Sequence, residues 1–131
     1  NQIMAILNQE SSLMEIVKLI GSDVLPDDQK LTLEIARVVR LGFLQQNAFH
    51  PDDTCVPMKK QFLMMDVILY LHKKAKALVT MGMPMSILKE SNIFDRIVSI
   101  KYDVPNDKPE MFDDYYKAID AFYDEVIAKN A

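Results

Sequence analysis

The chain has 131 residues, a formal charge of −4 and an even split between apolar and other residues. That is one domain's worth of soluble globular chain, able to bury a modest core without staples. The negative balance argues against a nucleic-acid partner, since the longest basic run is Lys73-Lys74-Ala75-Lys76. The single Cys55 excludes an internal disulfide and points to a reducing compartment. No apolar run reaches transmembrane length. Asn1, not Met, opens a helical pattern, so the chain reads as a piece of a longer one. Three glycines and no tryptophan, against abundant Leu, Ile, Met, Lys and Ala, favour helices over sheets.

In chain order, Ile3, Ile6, Leu7, Leu13, Met14, Ile16, Val17 and Ile20 give a first amphipathic helix. Ser11 and Ser12 are expected to interrupt it, and Gly21 to end it. Residues 22–28 (SDVLPDD) form a turn, with Pro26 at the first position of a second helix and Asp27 and Asp28 at its positive end. That helix buries Leu31, Ile35, Val38, Val39 and Leu41, and weakens at Gly42. Residues 45–57, with Pro51 and Pro57, read as a loop.

A long helix follows over 58–81, with Phe62, Met65, Leu69 and His72 on one line and Leu63, Val67, Tyr70 and Leu71 widening it. Gly82 and Pro84 break it. A short helix spans 85–90, and Ser91 is the expected N-cap of another over 93–100. Residues 104–107 (VPND) break the chain again. The last helix, 109–129, turns Phe112, Tyr115, Tyr116, Ile119, Phe122, Tyr123 and Val126 inward. These elements predict a single all-α domain over 1–131, a bundle of five or six helices.

Stand-alone chemistry is hard to find in this pattern. His50 and His72 have no metal-ligand spacing, and no metal site is expected. His72 reads as a core or boundary histidine. Cys55 lies near His50, yet a nucleophilic thiolate needs a positioned base, so a structural reading is preferred to a cysteine enzyme. Asp52-Asp53 and Asp113-Asp114 are adjacent carboxylates that point different ways, and read as solvated charge. No phosphate-cradling glycine loop occurs. The nine methionines, several around the third helix, fit a loosely packed core; a Met-lined groove for a partner helix is the alternative.

Two runs carry more information. The first spans 21–37 (GSDVLPDDQKLTLEIAR), preceded by residues 15–21 (EIVKLIG); the second is Phe43-Leu44-Gln45-Gln46-Asn47-Ala48-Phe49. In order and spacing they closely resemble the C-terminal domain of the catalytic A subunit of V-type and archaeal-type rotary ATPases, most strongly over 13–57. The chain departs from that family at Leu41-Gly42, where relatives commonly carry two acids, and at Thr54-Cys55-Val56-Pro57, where many have Tyr-Cys-Pro. A more distant likeness is to the F-type beta subunit. There an acidic turn leans on the rotor, and an aromatic residue lines the adenine pocket.

The resemblance implies several things about function. Phe49 would neighbour adenine, with Gln46 or Asn47 touching the base edge. The turn Asp23, Val24, Leu25, Pro26, Asp27, Asp28 would press on the central shaft. ATP or ADP and Mg²⁺ would be held chiefly by an upstream nucleotide-binding domain, so this piece would contain no catalytic residues and would be a monomer without bound cofactor in isolation. Its partners would be B subunits and the shaft subunit, in a cytoplasmic complex peripheral to the membrane that moves protons or sodium ions. The alternative is an independent helical adaptor using the Met-rich groove.

Overall fold

The computed structural model describes residues 1–44 and 58–130. Its helices are α1 (Gln2–Ile20), α2 (Asp27–Val39), α3 (Met58–Thr80), α4 (Met85–Lys89), α5 (Ile93–Val98), α6 (Ile100–Asp103) and α7 (Phe112–Asn130). Short 3₁₀ turns cover Ser22–Val24 and Pro109–Met111, and a π-helical turn, Arg40–Leu44, prolongs α2. No strand occurs among the described residues, so the fold is the expected all-α bundle. Only Ser99 separates α5 from α6. Its hydroxyl donates to the Asp95 carbonyl at 3.1 Å, a local bond at the end of α5.

The chain order builds the bundle in two stages. α1 and α2 form an antiparallel hairpin, closed at its far end by Arg40 Nη2 and Glu10 Oε2 at 2.8 Å. α3 packs on α2, and α7 then lies along α3 in the same direction. The direction is visible in the pairs Asp66–Tyr116, Tyr70–Asp120 and Lys74–Tyr123, whose numbers rise together. α4, α5 and α6 make the crossover such a parallel pair requires. One core results, centred on Ile35, Val67, Leu71, Leu88, Ile97, Phe112 and Ile119.

Several local expectations change on contact with the tertiary structure. Ser11 does not interrupt α1, which runs unbroken over Gln2–Ile20 with the Ser11 hydroxyl donating back to the Leu7 carbonyl at 3.5 Å. Pro26 is extended at ψ 157 and stands at the N-cap, so α2 starts one residue later, at Asp27. Ser91 serves the Ile93 amide at 3.3 Å, but the capping position belongs to Asn92 in the left-handed region at φ 60.

The largest correction concerns α3. Its buried line is Lys60, Met64, Val67, Ile68, Leu71, Ala75 and Leu78, not Phe62, Met65, Leu69 and His72. Phe62 is 62% exposed. Apolar residues surround this helix on nearly every side, so its own pattern leaves the buried face open. Packing between α2 and α7 selects it. α7 buries the expected Phe112, Tyr115, Ile119, Phe122 and Val126, with Tyr116 and Tyr123 at the margin.

Candidate functional site

The turn between α1 and α2 is built by capping. Gly21, at φ 89, adopts a conformation that an L side chain resists, and its amide donates to the Val17 carbonyl at 2.9 Å. Leu25 N–H then closes the 3₁₀ turn on the Ser22 carbonyl at 3.1 Å. The six residues of the expected rotor turn divide into two sets. Asp23, Val24, Pro26 and Asp28 are exposed. Leu25 is buried, and Asp27 is half-buried with its Oδ1 accepting from Met85 N–H at 3.0 Å. The side chains of Leu25 and Asp27 therefore fasten the turn to the bundle, and only the other four face outward.

Beside them stands an apolar surface, of which the sequence pattern had assigned Ile16 and Ile20 to the core side of α1. Ile16 is 39% exposed, Leu19 84%, Ile20 63% and Val24 58%. Ile16, Leu19 and Ile20 share one side of the last turns of α1, and Val24 continues the surface onto the turn. The outward face of this corner is thus apolar, edged by the two carboxylates Asp23 and Asp28.

From this corner α2 runs inward. Leu31, Ile35, Ala36, Val38 and Val39 are almost wholly buried. The helix then widens into the turn Arg40–Leu44, where Gly42 is buried and Leu41 half-buried. A Cβ on Gly42 would lie 3.1 Å from Val98 Cα and 3.2 Å from its carbonyl oxygen, so any larger residue would require the α5 backbone to give way by a few tenths of an ångström. Phe49, Gln46 and Asn47, and with them His50, Asp52, Asp53 and Cys55, lie outside the described residues.

Two buried charges escaped the sequence pattern. Glu34 accepts from Arg37 Nε at 2.6 Å and lies 3.7 Å from Lys89 Nζ. Its bond holds the Arg37 guanidinium well above the usual range, against a smaller opposing effect of burial. The i,i+3 spacing of Glu34 and Arg37 was the available signal. Lys60, almost fully buried, donates to the Val104 carbonyl at 2.6 Å and to Asn106 Oδ1 at 3.0 Å. Those partners stand 44 and 46 residues away, beyond the reach of any local pattern.

Among the described residues no three His, Cys, Asp or Glu side chains are grouped to hold a metal ion. His72 is half-buried on α3, and burial, with Lys76 nearby, lowers its pKa. Asp113 and Asp114 are exposed in the first turn of α7. An open groove of about 1090 Å³ runs between α1 and α3, past Asn8, Gln9, Thr32, Tyr70 and Lys73, but no methionine among the described residues lines it. Met64 and Met85 are core residues, and Met65, Met83 and Met111 pack against the core. No helix among the described residues is long and apolar enough to cross a membrane.

The molecule is therefore a helical bundle organised around one buried helix, with an exposed corner at its head. The model of the family described as the C-terminal domain of V and A type ATP synthase matches residues 1–88, which run from α1 through nearly all of α4. The chain belongs to this family. It is 43% identical to the V-type ATP synthase alpha chain 2 of Clostridium tetani, over 97% of this chain and 22% of that one. It is also 40% identical to the V-type ATP synthase alpha chain of Halothermothrix orenii, over 96% of this chain and 21% of the relative. The chain spans about a fifth of the length of these relatives. Similarity to them extends into α7, well past the family model.

Proposed function

We propose that this domain is the lever of the catalytic subunit of a V/A-type ATP synthase, linking nucleotide chemistry elsewhere in the subunit to rotation of a central shaft. One observation carries the reading. α2 and its π-helical extension form a single strut, roughly 25 Å long at about 1.5 Å per residue, with its inner side buried throughout α2. At one end of the strut is the exposed corner. From the other the sequence continues to Gln46, Asn47 and Phe49, which on family resemblance would meet the adenine of ATP or ADP. Such a strut transmits displacement because close-packed side chains resist compression.

Phosphate and Mg²⁺ would be held by a nucleotide-binding domain outside this chain, and closure of that domain would swing the bundle as a rigid body. B subunits and a shaft subunit would be the neighbours. The whole would work as an ATP-driven proton or sodium pump, or as a synthase in reverse, on the cytoplasmic face of a membrane. The shaft contact would be largely steric. The corner presents Leu19, Ile20 and Val24 to solvent beside its two carboxylates, and exposed ion pairs contribute little individually.

The nucleotide end is tested by Phe49→Ala in the intact subunit. An aromatic face beside adenine contributes about 1–2 kcal/mol. Nucleotide affinity should therefore weaken roughly tenfold, while Phe49→Tyr retains the stacking face and most of the affinity. Unchanged nucleotide binding by Phe49→Ala, measured by titration calorimetry, would remove Phe49 from the pocket.

A further inference from the structure

α4 and α5 run along α2 in register. Met85 N–H donates to Asp27 Oδ1 at 3.0 Å, and Lys89 Nζ stands 3.7 Å from Glu34 Oε2. Asp95 Oδ1 accepts from Arg37 Nη2 at 2.7 Å, and the Val98 backbone lies against Gly42. The partners 27, 34, 37 and 42 on one side meet 85, 89, 95 and 98 on the other, so both sets of numbers rise together. Asp27, Glu34 and Arg37 fall within one stripe of α2, given its repeat of about 3.6 residues. A five-residue helix and a six-residue helix are thus tied to the strut from its first turn to its π-helical end.

The centre of this fastening is ionic where an apolar contact would have sufficed for stability. Glu34 is only 8% exposed, and a buried carboxylate carries a desolvation penalty that a leucine would avoid. The pairing specifies position: Arg37 bonds Glu34 on its own helix and Asp95 on α5, which holds the two helices in one register. Packing alone would let short helices slide. We propose that Arg37, together with Glu34, is a positioning residue that makes α4–α5 a splint on α2. A push at the corner then moves the strut and splint as one body instead of being absorbed by slippage between them. The splint has work to do only when the corner is pushed, so it rests on the lever reading.

The test uses the full rotary complex reconstituted in vesicles, where ATP-driven membrane potential is measured per phosphate released. Asp95→Ala combined with Lys89→Met removes both arms from the splint to the Glu34–Arg37 pair while leaving that pair whole. Both positions are exposed, so the melting midpoint of the subunit should hold. The potential per phosphate should fall on the order of threefold. Lys18→Met, which removes only the exposed Lys18–Glu15 pair, should leave the ratio unchanged. A variant with the 21–26 turn shortened separates the two claims. If the shortened turn lowers the ratio and the Asp95/Lys89 variant does not, the splint is wrong and the lever stands. If neither lowers it, the lever reading falls and the splint with it.

Discussion

α1 and α2 are joined by residues 21–26 alone, yet the two helices meet opposite fates. α2 places Leu31, Ile35, Ala36, Val38 and Val39 in nearly complete burial, enclosed by α1, α3 and α5. α1, though longer, fully buries only Ile3, Ile6 and Leu13, and its last turns leave Ile16, Leu19 and Ile20 in solvent. Apolar content does not separate them, since α1 is the richer helix. What separates them is the number of neighbours. A helix with partners on several sides becomes a strut. One packed along a single side, near a chain reversal, becomes a contact surface.

Truncating one residue of each kind puts this contrast at greatest risk. Ile35→Ala should cost about 2–5 kcal/mol, the range for a large-to-small change in a close-packed core. Leu19→Ala should change stability by no more than about 0.5 kcal/mol, because its side chain is already hydrated. Denaturant titration of the two variants would measure both, and equal losses would erase the distinction between strut and surface.

A smaller effect is expected at the inner end of the strut. Gly42→Ala gains about 1 kcal/mol of helix propensity but drives a methyl group against the Val98 backbone. Overpacking of this kind costs about 1–3 kcal/mol, and backbone yields less readily than a side chain, so the net change should be destabilising. A rise in the unfolding midpoint would mean that α5 moves aside easily and is no part of the strut's casing.

The smallest effect comes from His72 on α3. Burial, then Lys76, lowers the pKa of His72 below its ordinary value near 6.5. The unfolded chain therefore binds its proton first as pH falls. Stability from this residue is present above about pH 6.5 and is lost as the pH drops from there toward the folded-state pKa. His72→Gln should flatten that part of the stability profile, measured by denaturation midpoints across mildly acidic pH. An unchanged slope would show that His72 is as solvated in the folded chain as in the unfolded one.

How far these features were legible in the sequence follows the same division. α7 shows its buried face directly, since Phe112, Tyr115, Ile119, Phe122 and Val126 stand out against Asp and Lys. α3 does not, because Phe62, Leu63, Met64, Met65, Val67, Ile68 and Leu69 are nearly continuous, and a pattern without a polar side has no preferred rotation. The corner was readable as a turn from Gly21 and Pro26. The inward commitment of Asp27 was not, for it depends on Met85 N–H, 58 residues away. The Glu34–Arg37 pair was visible as spacing, but its burial depends on α4 and α5. The nucleotide-side residues rest on resemblance alone, since local periodicity treats Phe49 as one more loop aromatic.

If the corner works by shape, rotation in the assembled complex registers it most directly. Single-molecule torque should be recorded for two variants of the full subunit. Leu19→Ser/Ile20→Ser/Val24→Ser removes the apolar surface, and Asp23→Asn/Asp28→Asn removes the exposed charge while leaving Asp27 to hold Met85. The expected result is a severalfold loss of torque for the first, with ATP hydrolysis and melting midpoint nearly intact, and little change for the second. Full torque in the serine variant, together with its loss when only the two carboxylates are neutralised, would contradict a steric corner.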